Sequence, residues 1–171
     1  MQGVERYKVK LLTHSNEWDK EFLRTKELIE KIWGSNVIDI QHVGSTSIKS
    51  ICAKPILDVA VKLKSIENMD AEKMKMLGYD FCGAQNEQKT YYLFVLRGEN
   101  EISLQHIHCY GSQDKEYFQL VAFRDYLNNH DDVAKQYEQL KIKLAQKYEN
   151  NRKAYTAGKE AFIKSIYEKL G

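Results

Sequence analysis

The stretch "QHVGSTSIKSICAKPILDVAV", Gln41 to Val61, sets a bend of small polar residues between two apolar runs and buries an acid, Asp58, in the second. It also contains the only proline of the chain, Pro55. "VIDIQHV" leading into it reads as a strand. "PILDVAVKL" leading out of it is nearly continuously apolar, the pattern of a strand covered on both faces. Gly44 permits close approach of the backbone, and the amides and hydroxyls of Ser45, Thr46 and Ser47 at the start of a short helix can hold an anion. Twelve residues separate Ser45 from Asp58. That length suits a short helix and a return to a neighbouring strand, which would bring the carboxylate beside the bend. A phosphate next to a carboxylate needs a divalent cation, Mg2+ or Mn2+, between them. The plainer alternative is a strand-to-helix turn with an N-cap, and an Asp58 bonded to backbone amides. An ionised carboxylate in an apolar strand is rarely left without a cation or donors, which favours the first reading.

Outward from this stretch, apolar runs alternate with helical periodicity. "YKVKLL" is a candidate first strand or arm. Ser15 or Asn16 can cap a helix carrying Trp18, Phe22, Ile29 and Trp33 at helical spacing and ended by Gly34. Ser65 is the expected cap of a second helix running to Gly78. A short strand and polar loop follow around "YDFCGAQNEQ". "TYYLFVL" and "ISLQHIHCY", joined by a short Gly/Asn loop, predict an antiparallel hairpin. Beyond about residue 114 helix formers dominate, and three helices are expected over 114–129, 133–148 and 152–170, the last capped by Asn150 or Asn151. The order predicts an α/β (α+β) chain, a mixed sheet with helices packed on it and a C-terminal three-helix segment, as a single domain over 1–171.

The 26 basic and 24 acidic side chains nearly cancel, and the lysines are interleaved with glutamates, so there is no strong nucleic-acid signature. No run approaches the roughly 20 apolar residues that span a bilayer, so no membrane partner is expected. Cys52, Cys82 and Cys109 are an odd number without metal-ligand spacing, and read as reduced thiols of a cytoplasmic protein.

Four blocks in this order, "HVGSTS…AKPILDV", "HIHCYGS", "LVAFRDYLNNH" and "AYTAGKEAFI", resemble the GrpB (UPF0157) family, within the polymerase-β-like nucleotidyltransferase superfamily. The likeness runs from about residue 7 to 167. It implies a nucleotidyltransferase-type fold with a helical C-terminal part, and for most members no established reaction. The chain departs from the pattern at two places. Lys49 and Ser50 stand where relatives carry Pro-Gly, and Ala60 stands where active enzymes of the superfamily carry a second carboxylate.

His106 and His108 alternate with Ile107 and so share a strand face, which Leu104 and Ile102 continue as a largely interior one. Singly they read as core histidines. As a pair near Asp58 they form a 2-His-1-carboxylate set, and in the resemblance they match the family's paired histidines. Asp58, His106 and His108 are therefore the candidate catalytic and metal-binding residues. His42 reads as a support for the turn. Arg124 at the margin of an apolar helical stripe, Lys159 four residues after Tyr155, and Lys54 before Pro55 are the basic candidates. With Gly44, Ser45 and Thr46 they would bind a polyphosphate, Arg124 as a fork and the lysines as point charges. For each base, a surface salt bridge or a solvated lysine is the alternative.

Three functions follow. The first is transfer of a nucleoside monophosphate from a nucleoside triphosphate to an unknown small-molecule or macromolecular acceptor. The second, favoured by Ala60, is a nucleotide-binding module that has lost turnover. The third is a metal-dependent hydrolase built on the two histidines and Asp58.

Overall fold

The computed structural model describes residues 1–171. Its sheet is built from β1 (Val37–Val43), β2 (Leu57–Leu63), β3 (Tyr79–Ala84), β4 (Tyr91–Arg97) and β5 (Ser103–Gly111). The helices are α1 (Asn16–Trp33), α2 (Ala71–Met76), α3 (Lys115–Asn129), α4 (Asp131–Lys147) and α5 (Arg152–Leu170). Strand order is β1-β2-β5-β4-β3. β2 and β5 run parallel, and every other neighbouring pair is antiparallel, so the sheet is mixed as expected.

Side-chain alternation sorts the sheet into two faces. On one, Leu57, Val59, Val61 and Leu63 of β2 meet Ile107 and Cys109 of β5 and pack under Ile29 and Trp33 of α1 and Met74 of α2. On the other, Val43, Ala60 and Tyr110 pack against Tyr117 of α3. That second face carries Asp58, His106 and His108. β2 is thus apolar and buried along the first face, while its second face carries Asp58, Ala60 and Lys62, of which only Ala60 is fully covered and Asp58 lies where the helical cover opens.

The segment between the bend and β2 has no ladder of its own. Its polar backbone groups are met from outside, as buried peptide groups must be. Asn128 of α3 accepts from the Lys49 amide at 3.0 Å and donates to the Ser47 carbonyl at 3.0 Å. On α4, Glu138 accepts from the Cys52 amide at 2.6 Å, and the Lys141 ammonium donates to the Cys52 carbonyl. Ala53 exchanges two hydrogen bonds with Leu12. Ile48 and Ile51 from the same segment sit in a core with Phe123, Leu127, Tyr137 and Ile166. The C-terminal helices therefore hold the bend in place.

One open alternative is decided and three expectations need correction. Of the strand or arm offered for "YKVKLL" the structure has the arm, tied to the rest by single bridges at Val4–Ser103, just before it, and Leu12–Ala53. β5 is already flanked by β2 and β4, and only its start, beyond the end of β2, leaves an edge for Val4. The second helix begins at Ala71 under an Asp70 cap. Ser65 cannot start it, because the Asn36 amide side chain fastens both the Ser65 amide and its carbonyl at 2.9 Å, while the Ser65 hydroxyl caps a turn at Asn68. The α4 helix starts two residues earlier than expected, at Asp131, which follows α3 after one residue. The face with His106 and His108 is half-buried, whereas the interior face of β5 is that of Ser103, Gln105, Ile107 and Cys109.

Candidate functional site

β1 ends at Val43, whose register partner across the ladder is Asp58. The chain turns away at Gly44 with φ of 71°, in the region that favours glycine, and makes one tight turn over Ser45–Ser47. A Cβ at Gly44 would stand 2.5 Å from Oδ2 of Asp58 and 2.9 Å from its Cβ, so glycine here is the condition for the bend to lie on the carboxylate. His42 braces the bend from beneath. Its Nε2 is 2.8 Å from the Thr46 hydroxyl, its Nδ1 is 3.4 Å from Asp19, and its ring stacks on Phe22. Burial lowers the His42 pKa to about 4 against the pull of Asp19 and Asp58, so it works as a neutral strut.

The parallel register pairs Asp58 with His106 and Ala60 with His108, which puts the acid and both imidazoles on one face. Oδ1 of Asp58 lies 2.9 Å from Nε2 of His108 and 3.5 Å from Nδ1 of His106. Burial works to raise the Asp58 pKa. The contacts from His106 and His108 outweigh it and hold the carboxyl far below the ordinary range, so Asp58 is an anion at any working pH. The far nitrogen of His108, Nδ1, meets the Tyr91 hydroxyl at 2.7 Å. Burial pushes the Tyr91 phenol up, so it stays a hydroxyl that can donate to Nδ1 when Nε2–H faces Asp58, or accept from Nδ1–H when Nε2 is free to ligate a cation. Tyr91 is itself stacked on Tyr110 with ring centres 4.6 Å apart. One ligand atom from each of Asp58, His106 and His108 falls within 4.8 Å of the others, close enough to share a cation. Two imidazoles with one carboxylate suit Mn2+ or a later transition ion better than Mg2+, which prefers oxygen. Ala60 is fully buried beneath Tyr110 and Tyr117, so no water or side chain supplies a further ligand from that position.

A cavity of ≈ 340 Å³ opens above this group. Gly44, Ser45, Thr46, Lys54, Asp58, His106 and Lys159 all line it, and α3, α4 and α5 form its roof. The ammonium groups of Lys54 and Lys159 lie 5.0 and 4.8 Å from the ring centre of Tyr155. Burial, with Lys159 and Arg152 nearby, lowers the Lys54 pKa to about 7, and burial also lowers that of Lys159. Two partly desolvated cations facing an open space are arranged to receive anionic charge.

Arg124 is not brought to the cavity. Its Nη1 donates to the Gln41 side chain at 2.7 Å and to the His42 carbonyl at 2.9 Å, and its Nε donates to Asp125. It fastens α3 to the end of β1. Three contributors are not legible from the sequence. Tyr91 reaches His108 across the β4–β5 ladder, Tyr155 stands between the two lysines, and Arg152 lines the cavity while its guanidinium donates to the carbonyls of Val4, Glu5 and Lys8. Tyr155 was readable only as a residue of a buried helical face.

Residues 8–169 match the family model described as GrpB protein. The glutamate-rich protein GrpB of Alkalihalophilus pseudofirmus is 38% identical over 174 residues, covering 99% of this chain and 100% of that protein. The UPF0157 protein YqkA of Bacillus subtilis is 33% identical, over 94% of this chain and 47% of its own length. Among solved structures, the conserved protein GrpB from Enterococcus faecalis superposes with a TM-score of 0.85 at 28% identity, covering 94% of this chain and 96% of that one. A cytoplasmic RNA terminal U-transferase superposes with a TM-score of 0.54 at 12% identity, over 79% of this chain and 41% of that one. Cid1 in complex with its short product ApU gives 0.53 at 11%, over 78% and 42%. The last two likenesses are of fold alone.

Proposed function

We propose, on the premise that the chain belongs to the GrpB family, that it binds a nucleoside triphosphate with a divalent cation and transfers the nucleoside monophosphate to an acceptor. One observation carries this reading. The Gly44–Ser45 bend, the Asp58 anion with the His106 imidazole, and the Lys54 and Lys159 ammonium groups face a single cavity, with His108 completing the Asp58 cluster behind, in a fold shared with nucleotidyltransferases. In it the bend holds the β- and γ-phosphates, and Lys54 and Lys159 neutralise them. Asp58, His106 and His108 would hold the cation, which when bound polarises the α-phosphate. An acceptor oxygen or nitrogen then bonds to the α-phosphorus, the bond from it to the pyrophosphate oxygen breaks, and the acceptor proton leaves to solvent. No helix is long and apolar enough to cross a membrane, and we place this activity in the cytoplasm.

A screen of thermal stability with the four ribonucleoside triphosphates and Mg2+ or Mn2+ tests it. Ligand at a hundredfold over its dissociation constant stabilises the protein by about 2.7 kcal/mol. At least one nucleotide is expected to raise the melting temperature in a metal-dependent way, and Asp58→Asn is expected to abolish the effect. A wild-type protein indifferent to every nucleotide would overturn the reading.

A second reading, nucleotide binding without turnover, is favoured by the sealed position of Ala60. Metal-dependent binding with no pyrophosphate release when hydroxyl, amine and phosphate acceptors are supplied would select it.

A further inference from the structure

His106 also lines a second concavity. This groove, of ≈ 640 Å³, shares His106, Arg152 and Thr156 with the cavity described above and opens from it towards β4 and the N-terminal arm. Arg6, Arg97, Arg152 and Lys153 contribute to its walls, against the single acid Glu160.

The basic groups are of two kinds. Arg97 and Arg152 are held by the fold. Arg97 donates from Nε to Asp80 at 3.0 Å and from Nη1 to the Ser103 hydroxyl at 3.3 Å, while Glu101 lies 3.8 Å away. Arg152 donates to the Glu5 carbonyl at 2.7 Å and more weakly to those of Val4 and Lys8. Nη2 of Arg97 and Nη1 of Arg152 have no protein partner. Arg6 and Lys153 are exposed, without a carboxylate within ion-pair distance. The arm that carries Arg6 is not loose. Val4 exchanges two hydrogen bonds with Ser103, and Arg152 clasps the carbonyls around Arg6, so the residue and the neighbouring Tyr7 are held at the rim of the groove. Arg6 lies over the Tyr7 ring at 5.5 Å.

We propose that this groove is a second binding site, and that it takes a phosphorylated small molecule, which on the reading above is the acceptor. The volume is that of a pocket for a ligand of nucleotide or sugar-phosphate size. Guanidinium groups pinned at their inner nitrogens keep an outer edge in fixed geometry, which is the form in which arginine recognises phosphate. Of the three cation-site residues, only His106 also lines the groove. A molecule whose phosphate meets the fixed edges of Arg97 and Arg152, with Arg6 and Lys153 adding charge from the rim, therefore extends its other end past His106 towards the α-phosphate position, and the cavity and groove divide donor from acceptor.

Calorimetric titration of the full chain tests this with two phosphorylated probes, 5′-AMP and glucose 6-phosphate, and their unphosphorylated counterparts, adenosine and glucose. Both phosphorylated probes, or one of them, are expected to bind and the counterparts not; the tighter of the two tells a nucleotide acceptor from a sugar phosphate. Arg6→Ala/Lys153→Ala is expected to weaken that binding about tenfold or more, the loss of two charge-assisted contacts. Asp58→Asn should leave it within twofold, while abolishing metal-dependent nucleotide binding. Because Arg6 and Lys153 are exposed, the double variant should fold, and its circular dichroism checks that. Equal affinity for phosphorylated and unphosphorylated probes, no binding of either phosphorylated probe, or binding unchanged in the double variant would overturn the proposal. The two readings fail separately, since Asp58→Asn reports on the cavity and the double variant on the groove.

Discussion

Gly44 and Asp58 are in contact across the β1–β2 ladder so closely that any side chain on the first would strike the carboxylate of the second, at 2.5 Å from Oδ2. The bend and the acid are therefore one unit. With φ of 71° as well, Gly44→Ala is expected to cost about 1–3 kcal/mol of stability and to remove nucleotide binding. In an Asp58→Ala background the same change should cost about 1 kcal/mol less, because Oδ2 is gone. Chemical denaturation of the four proteins in this cycle measures it, and simple additivity would disprove the coupling.

Tyr91 orients His108 from the side away from the cation site. Tyr91→Phe removes one hydroxyl and leaves the stacking on Tyr110. The expected outcome is a 10–100-fold weaker Mn2+ affinity, the usual effect of losing a partner to a ligating histidine, with stability lowered by only about 1 kcal/mol. Mn2+ titration followed by electron paramagnetic resonance reads the first, and an affinity equal to wild type would remove Tyr91 from the site.

Lys54 gives nucleotide binding a pH dependence. Its pKa is lowered from 10.5 to about 7, so near pH 8 it is mostly neutral in the free folded protein and charged in the unfolded chain. The unfolded state binds the extra proton, and stability from this group therefore rises as pH increases from about 7 towards 10.5. A polyphosphate favours the charged form. Binding at pH 8 should take up a proton and should weaken as pH rises to 9. Calorimetry in buffers of different ionisation enthalpy detects the uptake, and Lys54→Met should abolish it. No buffer dependence in the wild type would rule out Lys54 as a phosphate contact.

Restoring the missing carboxylate should not create a two-cation enzyme. Ala60 is fully buried against Val43, Tyr110 and Tyr117. Ala60→Asp places a charge there without a partner, and a loss of about 3–5 kcal/mol in stability is expected, with no gain in pyrophosphate release. A stable Ala60→Asp protein with faster turnover would refute this account of the site.

Arg124 acts on the fold and not on the ligand. A lysine cannot fork to the Gln41 side chain and the His42 carbonyl together. Arg124→Lys is expected to lose about 1–2 kcal/mol of stability and to leave the nucleotide dissociation constant unchanged within twofold. A large loss of affinity in a stable variant would return Arg124 to the phosphate site.

Much of this was legible along the chain, for a reason that lies in local periodicity. The apolar run through Asp58 marked a central strand, covered throughout on one face and at Ala60 on the other, and the alternation of His106 and His108 put both on one face before any partner was known. The spacing from Ser45 to Asp58 foretold that the bend would return to the acid, because an antiparallel neighbour is what a connection of that length most readily reaches. The helices of the last third followed from their composition to within two residues at each start.

The remainder depended on which distant segments share a surface. Whether the histidine face was interior depended on how far three helices extend over it, and they stop short and leave the cavity. Arg124 and Lys159 were equivalent as sequence, each a base at the edge of an apolar helical stripe. Packing sent one to a strand end and the other to the cavity that holds the acid. Tyr91, Tyr155 and Arg152 carry no signal of their own, because their partners lie in other elements and a hydrogen bond across a sheet leaves no period along the chain. Local order belongs to the sequence, and convergence to the tertiary structure.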